Sequence, residues 1–243
     1  MDFSLIARLA AEFIGTAIMI ILGNGAVANV DLKGTKGNGS DWMLIAVGYG
    51  AGVMIPALLF GSISGNHINP AFTIGLATAG LFPWAEVAPY IAAQMLGAIA
   101  GQLVVIAAYK PHYDLTTESN KILGTFSTID ATGSHLNGFI NEFIGSFILF
   151  FSALGITRAP FFHNNLGTAH LALGFLVGTL VASLGGPTGP ALNPARDLGP
   201  RLVHALFPLK NKGGSQWEYA WIPVVAPFLA GITAVGLYKV IFM

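Results

Sequence analysis

The sequence contains no cysteine, and charged residues make up only 9% of its 243 positions. Disulfides and thiol chemistry are therefore excluded. A soluble domain carries about 25% charged residues, so this chain lacks the side chains to cover a surface in water. Its formal net charge is zero, which gives no support for nucleic-acid binding. Hydrophobic residues reach 54%, and a lipid environment explains this, because charge is costly in hydrocarbon.

Six apolar stretches are long enough to cross a bilayer. A hydrocarbon core of about 30 Å requires about 20 residues of helix. A polar segment at 110–135 lies between the third stretch and the fourth, and we expect it to be a loop. The sequence predicts spans near 8–30, 42–61, 84–109, 136–157, 166–185 and 217–242.

Two further segments, about 69–79 and 193–206, are too short to span. They begin with Asn69-Pro70-Ala71 and Asn193-Pro194-Ala195, each after a glycine-containing irregular stretch. Asparagine is a good N-cap, and proline is favoured at the first helical position. Irregular backbone at membrane depth is tolerated only where it is buried or lines a wet cavity. The pattern therefore predicts two re-entrant half-helices beside a pore or a binding cavity.

An internal repeat relates the two ends of the chain. Residues 11–16 (Ala-Glu-Phe-Ile-Gly-Thr) match residues 141–146 (Asn-Glu-Phe-Ile-Gly-Ser), and one Asn-Pro-Ala motif follows each. Three spans per half place the second copy upside down, which brings the half-helix N-termini together near the midplane. We expect a single channel domain over 1–243, with halves at about 1–110 and 135–243 joined by an outer loop at about 110–135.

Two helix N-termini that meet in the membrane make a positive region, because each carries about half an elementary charge. Asn69 and Asn193 should cap these ends and turn their amide N–H groups into the lumen, where solute oxygens accept hydrogen bonds and cations are repelled. Arg196 lies one turn beyond Asn193, so we expect its guanidinium to line the pore on the outer side. The alternatives are an ion pair with Asp197, or snorkelling to an interface.

Two glutamates occupy equivalent positions of the repeat, Glu12 and Glu142. They could relay protons, but we favour a role as acceptors for backbone N–H groups of the re-entrant loops, which are costly to leave unpaired. His67 could line the inner pore or order its loop, and both interpretations stay open. His170 is interpreted as a packing or hydrogen-bonded residue, with a place in the pore wall as the alternative.

These features together resemble the aquaporin, or major intrinsic protein, family over essentially the whole chain. Segment 193–201 (Asn-Pro-Ala-Arg-Asp-Leu-Gly-Pro-Arg) is similar to the glycerol-facilitator branch, in which Asp197 and Arg201 are typical. Pro223 and Val224 also fit that branch. The resemblance implies an all-α membrane protein with six transmembrane helices and two re-entrant half-helices around a central pore. It also implies a passive channel for small uncharged solutes, and no enzymatic activity.

The family's aromatic/arginine filter falls, by spacing from the motifs, on Tyr49, Val181, Pro190 and Arg196. Glycerol facilitators usually have tryptophan at the first of these positions and phenylalanine at the third. Here those positions hold Tyr49 and Pro190, and this departure from the family pattern predicts a wider filter, which passes water, glycerol and similar polyols. Undissociated lactic acid, urea and dihydroxyacetone are further candidates. We expect the Tyr49 hydroxyl to bond to solute.

The resemblance implies a homotetramer in the plasma membrane with both termini in the cytoplasm. Its partners would be small solutes and the lipid bilayer, with no cofactor, metal or nucleic acid. That topology leaves Arg8, Arg158 and Lys239 inside and six lysines outside. Cationic residues usually concentrate inside, so charge bias and family disagree, and we follow the family.

Three other classes of function compete with a channel. Coupled secondary transporters also use inverted repeats and broken helices, but they need a site for a coupling ion. A membrane junction or scaffold protein would have a closed lumen and no solute flux. An intramembrane enzyme is the weakest alternative, since the sequence has no nucleophile elbow and no cluster of metal ligands.

Overall fold

The computed structural model describes residues 3–163 and 165–243. Only Met1, Asp2 and Asn164 of the domain expected over 1–243 lie outside the described residues. The described part of the chain forms ten helices and no strand, so the prediction of an all-α fold is confirmed. Six of the helices have the length and apolar composition to cross a membrane. These are α1 (Leu5–Asp31), α2 (Met43–Ser64), α4 (Trp84–Leu115), α6 (His135–Arg158), α8 (Leu166–Thr188) and α10 (Ile222–Phe242).

The two predicted half-helices are present as α3 (Pro70–Thr78) and α9 (Pro194–Leu206). Two short helices, α5 (Ser119–Gly124) and α7 (Pro160–His163), were not predicted. Neither carries a hydrophobic run long enough to stand out from the polar segment around it. Both lie in connections between spans, so they leave the predicted order of elements unchanged.

The expectation of a loop over 110–135 is wrong at its start, because α4 continues to Leu115. The Lys110 ammonium pairs with the Asp114 carboxylate at 2.6 Å, one turn further along the same helix. An ion pair at this spacing stabilises a helix, whereas the two charges, taken as composition alone, had favoured a loop. At the other end of the chain, the last span begins at Ile222 and not at 217, because residues 217–221 form turns.

The two halves are interlocked. Helix α1 packs on α2 and α4, and in the same pattern α6 packs on α8 and α10, while α2 and α8 join the halves. The half-helices pack across this division: α3 lies against α10, and α9 lies against α4. Each short helix is therefore held mainly by the last span of the opposite half. This exchange brings the N-termini of α3 and α9 to the centre of the molecule, where they touch.

Glycines let the helix backbones approach closely. A Cβ added at Gly101 would lie 2.6 Å from the Ala17 carbonyl oxygen, and one added at Gly97 would overlap the Phe13 carbonyl oxygen. The same applies to α3, since a Cβ at Gly75 would lie 2.7 Å from the Gly231 carbonyl oxygen. Helices in lipid associate through such close packing of small residues. The α1–α4 and α3–α10 contacts therefore fix where the half-helices sit.

A lysine ammonium covers the C-terminus of each half-helix. Lys239 Nζ donates to the Ala79 carbonyl oxygen at 2.6 Å, just after α3 ends. Lys212 Nζ donates at 2.8 Å to the carbonyl oxygens of His204, Ala205 and Phe207 at the end of α9. Cations stabilise helix C-termini because the last carbonyls are unpaired and carry partial negative charge. The negative ends are thus satisfied away from the centre, and the positive ends face each other.

We expect Gly97→Ala to destabilise the protein by about 1–3 kcal/mol, because the added methyl group forces α1 and α4 apart. Gly25→Ala in α1 is the matched control, since a Cβ there meets no atom within 4 Å of the described structure. Thermal unfolding of both variants in detergent, followed by size-exclusion chromatography, measures the difference. Equal stability of the two variants would show that the α1–α4 contact is looser than the structure indicates.

Candidate functional site

Both Asn-Pro-Ala motifs build the same helix cap. Asn69 and Asn193 have extended backbones, with φ of −155° and −158°, and the prolines begin α3 and α9. Asn69 Oδ1 accepts a hydrogen bond from the Ala71 N–H at 2.9 Å, and Asn193 Oδ1 accepts one from the Ala195 N–H at 3.0 Å. The side-chain oxygens are thus used inside the caps, and the amide nitrogens are left free to point away from the helices.

Each asparagine then reaches across to the other half. Asn69 Nδ2 donates to the Leu192 carbonyl oxygen at 2.8 Å, and Asn193 Nδ2 donates to the Ile68 carbonyl oxygen at 2.7 Å. The two motifs therefore abut through a reciprocal pair of hydrogen bonds. The expectation that both amides simply face the lumen needs correction, because one hydrogen of each NH₂ group is used in this contact. Both asparagines still line the central cavity.

A buried carboxylate holds the loop before α9. Glu142 Oε1 accepts hydrogen bonds from the Thr188 hydroxyl at 2.8 Å and from the Ala191 N–H at 2.9 Å. Its Oε2 accepts one from the Leu192 N–H at 2.9 Å. Leu192 has a positive φ of 53°, which is unfavourable for a branched side chain. The carboxylate therefore stabilises a backbone shape that the chain would otherwise avoid.

Glu12 repeats this arrangement for the loop before α3. Its Oε1 accepts from the Ser64 hydroxyl at 2.6 Å and from the His67 N–H at 2.9 Å, and its Oε2 accepts from the Ile68 N–H at 2.6 Å. Gln94 adds a fourth bond to Oε2, at 2.8 Å. Both glutamates have 0% exposure. These contacts are those of the loop-supporting interpretation, and neither carboxylate faces the open cavity as a proton relay would.

Two cavities meet at the predicted filter. The larger, of about 360 Å³, runs along both re-entrant loops, and the smaller, of about 190 Å³, lies beyond them. Tyr49, Val181 and Arg196 line both cavities, and Pro190 lines the larger one. The structure thus brings all four predicted residues to one narrow place between two open volumes. Tyr49, Val181 and Arg196 thus form a wall that the two cavities share.

The aromatic and cationic walls of this constriction touch. The Arg196 Cζ atom lies 4.8 Å from the centre of the Tyr49 ring, within the range of a cation–π contact. Arg196 Nη1 donates to the Phe126 carbonyl oxygen at 3.1 Å, whereas its Nε is buried without a partner in the described chain. Arg196 is therefore anchored on one side by a backbone carbonyl, and its side chain borders both cavities.

The Tyr49 hydroxyl does not serve the lumen. It donates its hydrogen to the Asn24 side-chain oxygen in α1, so the expectation that this hydroxyl bonds to solute is wrong. The reason is geometric, since the Tyr49 side chain projects from α2 across α1, where its ring packs on Gly23 and its hydroxyl meets Asn24. Asn24 was missed in the sequence. Its signal was a carboxamide in an otherwise apolar stretch of the first span.

Arg196 does not pair with Asp197. Asp197 accepts a hydrogen bond from Arg201 Nε at 2.9 Å, and both side chains of this ion pair have 0% exposure. Asp197 also accepts from the Thr128 N–H and hydroxyl at 2.7 Å each. The alternative of an Arg196–Asp197 ion pair is therefore wrong. Asp197 fixes the connecting segment near Thr128 to α9, and the Arg196 side chain lies beside the cavities with no ion-pair partner among the described residues.

His67 and His170 both line the larger cavity. His67 also orders its loop, because its N–H donates to Glu12 and its Nδ1 lies 3.1 Å from the Thr73 hydroxyl oxygen. The two interpretations of His67 are thus compatible. His170 packs against Gly61, where an added Cβ would lie 2.5 Å from the imidazole ring. It borders the cavity as well, so the alternative of a place in the wall agrees with the structure.

Comparison with known proteins adds three findings. A family model described as "Major intrinsic protein" matches residues 2–238. The chain is 58% identical to "Glycerol uptake facilitator protein-like 5" of Lactiplantibacillus plantarum, with 97% of each chain covered, and 49% identical over the full length of both chains to "Glycerol facilitator-aquaporin gla" of Lactococcus lactis. The X-ray structure of the aquaglyceroporin from Plasmodium falciparum superposes with a TM-score of 0.85 at 28% identity, and covers 98% of this chain and 97% of its own.

We expect Glu142→Gln to destabilise the protein by about 1–3 kcal/mol, because an amide nitrogen placed against loop donors leaves a buried N–H without an acceptor. Glu12→Gln should behave in the same way. Glu218→Gln removes the same charge from an exposed position and is the matched control. Thermal stability in detergent measures the effect, and a Glu142→Gln variant as stable as the control would contradict the loop-supporting role.

Proposed function

The chain belongs to the major intrinsic protein family, and from this membership we propose that it is a passive channel for glycerol and similar small uncharged solutes, including water. Its relatives bear the names of glycerol facilitators. The observation that carries the proposal is the pair of cavities that meet at Tyr49, Val181 and Arg196. A channel needs open volumes on both sides of its filter, and a scaffold with a closed lumen does not.

The lining of the larger cavity fits a polyol. Helices α2, α6 and α8 supply its apolar wall, which includes Val53, Leu149, Phe150, Leu173 and Val177. The re-entrant loops and their caps contribute the polar groups. A small polyol has a carbon backbone and a row of hydroxyls, so a wall with both kinds of surface can replace its water shell. Binding sites for small molecules combine apolar walls with a few placed polar groups in this way.

We assign the selectivity filter to Tyr49, Val181, Pro190 and Arg196. The three uncharged members offer no donor to the solute, because the Tyr49 hydroxyl is used by Asn24. Arg196 is then the hydrogen-bonding side of the constriction, opposite an apolar rim. Pro190 is a small ring with no aromatic face, so the opening should admit three-carbon solutes. Undissociated lactic acid, urea and dihydroxyacetone fall within the same size and charge class.

The same centre should exclude ions and protons. Two helix N-termini meet at Asn69 and Asn193, and each contributes about half a positive charge. Arg196 adds a full charge at the wall that the two cavities share. A cation that entered would meet this field and lose its hydration shell, and the lumen offers few oxygens to replace it. Neutral solutes escape both costs.

A coupled transporter is the nearest rival, and the hydrogen bonds count against it. Such a protein needs a carboxylate or an open oxygen cage for its ion. Glu12 and Glu142 accept at both carboxylate oxygens from loop donors, and Asp197 is occupied by Arg201 and Thr128. These acids are therefore committed to holding backbone and are not available to bind a travelling ion.

The multi-pass chain lies in a membrane, as its six apolar helices and its family require. We further propose that this is the plasma membrane, that both termini face the cytoplasm and that four copies assemble, each with its own pore. The single-domain organisation with halves on either side of the 110–135 segment supports a pore within each copy. The same reasoning assigns the chain no enzymatic activity, because its relatives are named as facilitators.

Purified protein in liposomes should accelerate glycerol uptake down its gradient, with no dependence on a proton or sodium gradient. Val181→Trp should block this flux, because the indole fills the constriction that Val181 lines. Val47→Trp is the matched control, since Val47 lies in α2 with 59% exposure and should face lipid. Stopped-flow light scattering measures both. Flux that saturates and follows an ion gradient would support the transporter instead.

Pro190→Phe should reduce glycerol flux more than water flux, by about threefold or more in their ratio. The physical reason is that an aromatic ring narrows the opening next to Arg196, and a solute with three carbons meets a steric cost that water avoids. Swelling in glycerol and shrinkage in an impermeant osmolyte give the two rates on the same vesicles. An unchanged ratio would place Pro190 outside the filter.

A further inference from the structure

Tyr49 is seated in a socket made by two neighbouring residues of α1. A Cβ added at Gly23 would lie 2.7 Å from Tyr49 Cζ and would overlap the ring edge, so only glycine leaves room for the aromatic ring. Asn24, the next residue, accepts the hydrogen bond from the Tyr49 hydroxyl. Gly23 thus receives the ring and Asn24 receives its polar end.

Asn24 is tied on its other side to two further elements. Its Nδ2 donates to Gln102 Oε1 of α4 at 2.6 Å and to the Phe126 carbonyl oxygen at 3.2 Å. The Asn24 and Gln102 side chains have 0% exposure. A buried carboxamide bonded on both sides has its orientation fixed, because turning it would leave several polar groups unpaired.

The Phe126 carbonyl oxygen links Asn24 to Arg196. It accepts from Asn24 Nδ2 and also from Arg196 Nη1. The Arg196 guanidinium in turn lies over the Tyr49 ring. Tyr49, through Asn24, and Arg196, directly, are therefore both linked to the Phe126 carbonyl oxygen. Asn24 bonds directly to the Tyr49 hydroxyl, and it shares the Phe126 carbonyl oxygen with Arg196.

We propose that Asn24 is a positioning residue for the filter, which keeps Tyr49 drawn back against α1 and so holds the constriction wide. The proposal rests on the assignment of Tyr49 and Arg196 to the filter of a solute channel. Asn24 itself touches no solute, because its side chain is fully buried behind the ring.

The direction of the effect follows from the hydroxyl. Without the Asn24 oxygen, a Tyr49 hydroxyl left against α1 would be buried with no acceptor, which is costly. In a solute channel, the hydroxyl regains partners by rotating toward the two cavities that Tyr49 lines. That rotation places an oxygen in the lumen and narrows it. Removal of Asn24 should therefore make the channel more selective for water.

The test compares Asn24→Leu, Tyr49→Phe and the double variant with the wild type in liposomes. We expect Asn24→Leu to lower the ratio of glycerol to water permeability by about threefold or more, in line with the cost of an unpaired hydroxyl. Phenylalanine has no hydroxyl to satisfy, so the Asn24→Leu change should have little effect in the Tyr49→Phe background. An effect of Asn24→Leu that requires the Tyr49 hydroxyl shows that Asn24 acts through Tyr49. A loss of folded protein would instead lower the glycerol and water fluxes together and leave their ratio unchanged.

Thr16→Val is the matched control, because Thr16 is a buried polar residue of the same helix, and among the described residues its hydroxyl bonds to its own helix at the Glu12 carbonyl oxygen. If Asn24→Leu does not assemble, Asn24→Ser replaces it, since serine is too short to reach the Tyr49 hydroxyl. An equal drop in the ratio with and without the Tyr49 hydroxyl overturns the proposal, and so does an unchanged ratio. A wild type that passes no solute overturns the channel function first, which separates the two failures.

Discussion

Backbone N–H groups that leave regular helix inside a membrane must find acceptors within the protein, and this constraint organises the centre of the molecule. Lipid offers no partner, and each unpaired group costs several kcal/mol. Two carboxylates provide the acceptors here. Glu12 and Glu142 bond to the loops at matching positions, five, two and one residues before each motif asparagine. The loops are thereby held open enough to line a cavity and rigid enough to keep its shape.

The charge pattern follows from the same construction. Because both half-helices start at the centre, their positive ends add there, while Lys239 and Lys212 cover the negative ends. A buried ion pair between Asp197 and Arg201 neutralises two further charges close to the constriction. Arg196 is then left as an uncompensated side-chain charge beside the path.

The sequence predicted most of this arrangement because its signals are local or repeated. The Asn-Pro-Ala motifs gave the caps, and the matched segments 11–16 and 141–146 pointed to paired glutamates. The contact between Tyr49 and Asn24 could not be foreseen, since it depends on how α1 and α2 are rotated against each other. The Phe126 carbonyl was equally hidden, because every residue has one. The continuation of α4 through Lys110–Asp114 was missed, since charges in a helical turn look like a loop when only composition is considered.

The exchange of half-helices between halves has a consequence for biogenesis. Helix α3 ends at Thr78, but its main packing partner α10 ends only at Phe242. At a translation rate of about 5–20 residues per second, roughly 160 further residues take about 8–30 s to emerge. During that interval α3 can pack only on elements already made, such as α4, and its capped end has no counterpart in α9. The first half therefore cannot complete its packing until α10, the last helix to be synthesised, is in place beside α3.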